Sequence, residues 1–297
     1  MLPPDLTTLP TATLLEHLRT CGYDVPPGLP EEIVRRGGEI LGPLCALVRD
    51  EALWEAEEPR DYMAPLHAVH LLGAIGDPAA TPALVAMVRS RDEDDLVMEA
   101  GASILAALGP GAMGRLMRSA GDRGLDAFQR QIFTRSLYVI AARHPAHRAE
   151  VAAFLTRLLR DPDEVFVAMM IEDVARTGDP AAQAAVDMVF EEGRASPSFI
   201  TREDIEHARA EPLWKVPRDV DDPMSYFRDE ALAALKQQWK QWLHNVAERK
   251  ARLRRASARR VLPKRGRNQR CLCGSGKKYK KCCLVLKERR EGAAVTG

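Results

Sequence analysis

The sequence predicts an all-α protein. Its 297 residues are 46% hydrophobic but only 5% aromatic, and scarce aromatics beside abundant Ala and Leu favour packed helices over a β-sandwich or barrel. Apolar residues recur at helical spacing, and Gly and Pro interrupt them at regular intervals. A hydrophobic fraction of this size excludes a wholly disordered chain. We therefore expect stacked helices over most of the chain, then a long helix and a small C-terminal module.

Most of the predicted helices belong to repeated helix pairs. Residues 1–30, rich in Pro and Thr, are expected to cap the repeats, which occupy residues 31–193. In the clearest unit, residues 62–75 and 79–90 form two amphipathic stretches separated by a Gly-Asp-Pro break. Similar breaks recur every 32–35 residues, at Pro78, Pro110, Pro145 and Pro180. This period predicts an α-solenoid, because one helix pair cannot bury its own apolar face and its neighbours must cover it.

The clearest unit also resembles a known type of repeat. Residues 71–84, LLGAIGDPAATPAL, are similar to the HEAT repeats of the phycocyanobilin-lyase type. The helical body as a whole resembles an uncharacterised bacterial family of such helices, often joined to a C-terminal tail such as residues 261–290. The resemblance implies a HEAT-like fold. It implies a lyase activity only by analogy of fold, and it places no nucleophile.

The region between the repeats and the tail, residues 194–260, begins with an irregular stretch. A short helix is predicted at residues 202–210, because Thr201 can cap its first turn and Asp204 stands at capping-box spacing. A long helix is then predicted from about Met224 to about Arg260, and its second half is basic on nearly every face.

Charge is strongly segregated along the chain. The net charge is +1, yet residues 249–290 contain 18 Lys and Arg against one acid, a balance of +17, and the remaining residues carry −16. Such asymmetry indicates either an anionic partner or a contact of the basic tail with the acidic body of the same chain.

Four of the six cysteines lie together in the tail, residues 261–290. Cys271 and Cys273 are separated by eight residues from Cys282 and Cys283. Four thiolates suit one tetrahedral Zn²⁺, and the Gly-Ser-Gly turn between the pairs allows the backbone to double back. Nearby lysines lower the thiol pKa values and offset the negative charge. With four sulfur ligands no open position remains, so the sequence predicts one structural zinc ion and no hydrolytic chemistry.

The sequence RNQRCLCGSGKKYKKCC (residues 267–283) closely resembles the SEC-C motif, the zinc-binding tail of the preprotein translocase ATPase SecA. The resemblance implies that the same four cysteines are the ligands. It also implies a protein partner, since the knuckle of that family binds the export chaperone SecB and related tails contact ribosomes. Arg270 and Leu272 replace the prolines that usually flank the first ligand. The residues expected to contact a partner are Arg254, Arg255, Arg267, Lys277, Lys278, Tyr279, Lys280 and Lys281.

These features predict a non-enzymatic, zinc-binding adaptor whose tail binds a chaperone, a ribosome-associated protein or a similar partner. The concave solenoid face would then hold a second protein. The alternative from another class is an RNA- or ribosome-binding factor that uses the arginine-rich helix and the knuckle lysines, and a lyase-like enzyme is the third. Neither an export signal nor a membrane-spanning run is recognisable, so we expect a cytoplasmic protein. The sequence leaves the oligomeric state open.

Overall fold

The computed structural model describes residues 5–56, 58–91, 95–260 and 266–285. Within these ranges the regular secondary structure is helical, apart from one isolated antiparallel bridge between Arg270 and Lys278. The all-α prediction is therefore confirmed. The chain divides into two compact units, Met1–Lys236 and Gln237–Gly297.

The α-helices of the described ranges are α1 (Thr11–Thr20), α2 (Leu29–Arg36), α3 (Gly38–Arg49), α4 (Glu51–Trp54), α5 (Pro59–Ile75), α6 (Thr81–Ser90), α7 (Asp95–Ala107), α8 (Met113–Ala120), α9 (Ala127–Arg143), α10 (Arg148–Leu158), α11 (Glu164–Ala175), α12 (Pro180–Glu191), α13 (Arg202–Ala210) and α14 (Asp229–Arg260). Short 3-10 turns occupy Leu6–Thr8, Pro78–Ala80, Pro110–Ala112, Pro145–His147, Pro223–Phe227 and Tyr279–Lys281. Of the helices in these ranges, no single one is long and apolar enough to cross a membrane, whereas the bent pair Val97–Ala107 and Pro110–Ala120, at 109°, reaches the required length and composition.

Each of the four predicted breaks lies between the two helices of one pair. Pro78, Pro110 and Pro145 each open a 3-10 turn that leads into α6, α8 or α10, and Pro180 is the first residue of α12. Proline suits these positions because its fixed φ matches a helical first turn and it needs no hydrogen-bond acceptor. Successive breaks also touch, since a Cβ placed on Gly111 would lie 2.7 Å from Cγ of Pro78.

The helix pairs of the first unit pack in two rows. In the first row α5 packs on α7, α7 on α9, α9 on α11 and α11 on α13. In the second row α3 packs on α6, α6 on α8 and α10 on α12. One continuous core runs through both, and it includes the fully buried Leu72, Leu105, Leu137 and Ile171 of the first row. This arrangement is consistent with the stacked solenoid that the repeat period predicts.

The helices at the two ends of the predicted repeats are also fixed by local contacts. At the N-terminal end, α1 packs on α2, α3 and α5, and α2 begins two residues before the predicted start of the repeats. At the other end, the predicted capping box of α13 is present: the N–H of Asp204 donates to Oγ1 of Thr201 at 3.2 Å, and the N–H of Thr201 donates to Oδ2 of Asp204 at 2.8 Å. The division of the chain into four segments stays a prediction.

Residues 211–227, which we call the strap, run back along the first-row helices. The Trp214 ring stacks on Tyr138 of α9 with centroids 5.3 Å apart. The backbone N–H of Trp214 donates to the Arg176 carbonyl at 3.0 Å. Further on, the Asp221 N–H donates to Oγ of Ser103 in α7 at 3.1 Å. The strap therefore leads from α11 across α9 and α7 towards α5.

The strap ends where we predicted that the long helix begins. The start predicted near Met224 is wrong by five residues, because Pro223–Phe227 form a 3-10 turn and α14 begins at Asp229. The Tyr226 ring in this turn stacks on His70 of α5 with centroids 3.8 Å apart, and its hydroxyl lies 3.0 Å from Nδ1 of His67. Packing on α5 thus overrides the helical spacing of the sequence.

A buried ion pair crosses the first unit between α9 and the turn after α10. Arg130 is 1% exposed and Asp161 is 4% exposed. The guanidinium donates to both carboxylate oxygens, at 3.2 and 2.8 Å, and its Nε donates to the Ala120 carbonyl at 2.9 Å. Burial raises the pKa of Asp161, but the hydrogen bonds from Arg130 and from the Asp163 N–H outweigh it and hold that pKa below its ordinary value. Arg123 reaches the same carboxylate from the surface.

We expect Asp161→Ala to lower the free energy of unfolding by about 3–5 kcal/mol, because it leaves the Arg130 charge buried without its partner. Arg123→Gln is the matched control: its side chain is 66% exposed, so losing this contact should cost less than about 1 kcal/mol. Urea unfolding monitored by circular dichroism measures the free energy of unfolding of both variants. Equal losses in the two variants would contradict the structural role assigned to the buried pair.

Candidate metal centre

The cysteine-rich segment folds back on itself through backbone hydrogen bonds. Within residues 266–285, which we call the knuckle, the Cys271 N–H donates to the Lys277 carbonyl at 2.8 Å. The Tyr279 N–H donates to the Gln269 carbonyl at the same distance. These two bonds join the strand-like segments on either side of the turn, so the first pair of cysteines is brought next to the second.

The turn between the two cysteine pairs depends on glycine. Gly274 has a φ of +80° and Gly276 a φ of +71°, values that residues with a Cβ rarely adopt. The chain then enters the 3-10 turn Tyr279–Lys281, directly before the second cysteine pair. The two glycines of the Gly-Ser-Gly sequence are therefore required by the backbone geometry of the turn.

The four cysteine sulfurs form one cluster. All four Sγ atoms lie within 4.8 Å of one another. Sγ of Cys282 is 3.4 Å from that of Cys273 and 4.0 Å from that of Cys283. Sulfur atoms held at about 2.3 Å from one tetrahedral ion such as Zn²⁺ lie about 3.8 Å apart, so the observed spacing and the donor set fit a bound metal ion.

The electrostatics of the cluster also favour a cation. Hydrogen bonds from the hydroxyl and the backbone N–H of Ser275 lower the pKa of Cys273 to about 6. The pKa of Cys283 is raised to about 12, because hydrogen bonds to Cys271 and Cys273 hold its thiol proton. Four thiols at this distance cannot all ionise near neutral pH unless a positive charge lies among them. A divalent ion bound by these cysteines would supply that charge and displace the protons.

The knuckle exposes most of the predicted contact residues. Cys271 is the buried cysteine of the cluster, at 7% exposure, and Tyr279 is half-buried. The exposed contact residues are Arg267, Lys277, Lys278, Lys280 and Lys281. Arg254 and Arg255 lie in the helical backbone of α14, but their side chains are outside the described part of the chain. The predicted tail also includes residues 261–265 and 286–290, which lie outside the described ranges.

Sequence reasoning missed two features of the knuckle. Leu272 is 54% exposed and Val285 is 38% exposed, so apolar surface lies among the basic residues. Ser275 contacts the cluster directly, with its hydroxyl 3.2 Å from Sγ of Cys282. The Gly-Ser-Gly pattern drew attention to the glycines, and only the folded turn shows that the serine hydroxyl faces sulfur.

Cys21, Cys45 and the two histidines of α5 belong to the first compact unit. Cys45 is buried and Cys21 half-buried, and burial raises both thiol pKa values, that of Cys21 to about 11. His67 is fully buried, with Nε2 2.7 Å from the Gly22 carbonyl, and burial lowers its pKa to about 4. Both histidines of α5 are packing residues, since His70 stacks on Tyr226.

Comparison with known families gives one result for this segment. Residues 267–284 match the SEC-C motif, and all four clustered cysteines lie inside the match. No solved structure matches the chain significantly. The knuckle is thus similar to a SEC-C motif, and its cysteines are placed so that they can bind a metal ion.

Proposed function

We propose that this chain is a zinc-binding, non-enzymatic adaptor whose knuckle docks a protein partner. The observation that carries the proposal is the cluster of four sulfur atoms within 4.8 Å of one another, in a segment whose lysines are exposed. The proposal places the protein in the cytoplasm, where thiols stay reduced and available to a metal.

The donor set supports zinc in a structural role. Four thiolate ligands suit a redox-inert ion with no preferred geometry of its own. They also fill a tetrahedral shell, so no position remains for a water molecule or a substrate. The ion would hold together a segment too small to bury a core of its own.

The surface of the knuckle supports a protein partner. Leu272 and Val285 provide exposed apolar contact area, and the lysines around them provide positive charge. Such a surface is complementary to an acidic, partly apolar patch. The resemblance to the SEC-C motif points to the same class of partner, a chaperone or a ribosome-associated protein.

The helical unit is proposed as the scaffold of the adaptor. The strap already lies along the first-row helices, so we expect the second-row helices to provide the surface for any second protein. We propose no catalytic role. The lyase resemblance supplies no nucleophile, and burial raises the pKa of both cysteines outside the knuckle.

Elemental analysis tests the metal. Full-length protein purified under reducing, chelator-free conditions should contain one zinc ion per chain, and Cys282→Ser with Cys283→Ser should contain none, because two ligands cannot hold the ion tightly. The matched control replaces Cys21 and Cys45 with Ser and should keep the zinc. Metal-free wild-type protein with an ordered knuckle would contradict the proposal.

Partner capture tests the adaptor role. Full-length protein and the same two double variants are compared by affinity purification and quantitative mass spectrometry. We expect the double variant Cys282→Ser with Cys283→Ser to capture at least tenfold less of each specific partner, because its unfolded knuckle no longer presents the binding surface. The control variant should capture the same amount as the wild type. If the Cys282→Ser with Cys283→Ser variant still captured every partner, the knuckle would not be the docking site.

A second candidate function is RNA or ribosome binding. The charge of +17 between residues 249 and 290 and the exposure of Lys277, Lys278, Lys280 and Lys281 favour it, because each phosphate neutralised by a cation releases counterions. This binding would depend on charge alone and would tolerate many RNA sequences.

The salt dependence of RNA affinity tests this alternative. For a labelled single-stranded RNA, the logarithm of the affinity should fall steeply with the logarithm of salt concentration, and Lys277→Gln with Lys278→Gln should make the slope shallower by about 1.4. Arg115→Gln with Arg118→Gln, an equal charge change on exposed positions of α8, should leave the slope unchanged. A flat profile in the wild type would eliminate RNA binding.

A further inference from the structure

A cavity lies between the strap and the first-row helices. Its volume is about 590 Å³, enough for a small organic molecule. The side chains come from α5, α7, α9, the strap and the first two turns of α14. The lining residues that matter for its chemistry are His70, Glu99, Ile104, Ile132, Arg135, Asp219, Asp221, Tyr226 and Leu235. All of them belong to the first compact unit.

Carboxylates dominate the rim of this cavity. Glu99, Asp219 and Asp221 are exposed, and among the described residues none of the three makes an ion pair. Asp222 is a fourth carboxylate of the lining, and its Oδ1 accepts the Met224 N–H at 3.0 Å. The positive side chain of the lining, Arg135, forms an ion pair with the buried carboxylate of Asp173 at 3.1 Å, and its buried Nε has no hydrogen-bond partner in the described ranges. Carboxylates therefore outnumber cations in the lining, which favours a positively charged ligand.

The walls below this rim are apolar and aromatic. Ile104, Ile132 and Leu235 offer aliphatic contact, and Tyr226 and His70 stacked on each other form the wall at α5. Burial lowers the pKa of His70 to about 3, so the imidazole is neutral and does not repel a cation. Its Nδ1 is buried and has no hydrogen-bond partner within the described ranges. The site thus combines an apolar and aromatic wall with a negative rim.

We propose that this cavity binds an alkylammonium group, with its methylene chain against Ile104, Ile132 and Leu235 and its charged nitrogen at the carboxylates Glu99, Asp219 and Asp221. The apolar wall contributes by burying the methylenes, and the rim contributes by charge attraction in a partly enclosed site.

Two sources carry this chemistry, a free aliphatic diamine and the lysine side chain of a peptide. Isothermal titration of the full-length protein distinguishes them with two probes, 1,5-diaminopentane and a short peptide with one central lysine and blocked ends. Tighter binding of the diamine identifies the free amine as the ligand, and tighter binding of the peptide identifies a lysine side chain. Absence of saturable binding of either probe at millimolar concentration would overturn the proposal.

A charge-matched pair of variants separates this site from general attraction to an acidic surface. Asp219→Asn with Asp221→Asn should lower the affinity for the tighter-binding probe about tenfold. The substitutions keep the backbone N–H of residue 221 that donates to Ser103. Glu191→Gln with Glu206→Gln makes the same change in net charge on exposed positions of α12 and α13. It should change the affinity less than twofold. Equal weakening in both variants, with unchanged thermal unfolding, would show that the cavity is not the binding site.

Discussion

The helical unit depends on the need of each helix pair to cover the apolar sides of its neighbours. No pair can bury both of its flanks alone, so stability comes from the interfaces between successive pairs. The core side chains of α5, α7, α9 and α11 consequently form one continuous cluster. The breaks must then recur at a nearly constant interval, because a longer or shorter pair would move the next helix out of register. The close contact between the turns at Pro78 and Gly111 shows this constraint, because the two turns can pack together only when the interval between them is kept.

The C-terminal module follows a different principle. The knuckle has too few apolar residues to bury a core, and Cys271 of the sulfur cluster is its buried residue among those described. Its backbone bonds bring four sulfur atoms within 4.8 Å of one another, and four thiolates at this distance would repel one another without a cation. A metal ion would remove that repulsion and stabilise the fold at once. The chain therefore combines a unit stabilised by buried area with a module suited to stabilisation by coordination.

Local signals in the sequence were sufficient to predict the helix breaks, the capped start of α13 and the cysteine cluster. Proline breaks, the Thr201 capping box and the cysteine spacing each act within a few residues, so their effects could be predicted before the fold was known. Features that depend on distant contacts could not. The Arg130–Asp161 pair joins residues that look like surface charges in the sequence. The turn at Tyr226 replaces the predicted start of a helix because Tyr226 packs on His67 and His70, which are more than 150 residues earlier in the chain. The cavity beside the strap likewise exists only after the chain has returned to α5.

The route of the strap changes how the helical unit must come apart. A linear array of repeats can fray from either terminus, because each outer unit has a neighbour on one side alone. Here the segment after the last helix pair holds α11 through Trp214 and α5 through Tyr226. Loss of the strap from either helix would also remove a contact that covers the other. The return of the chain thus joins α11 to α5 and opposes independent fraying of these two helices.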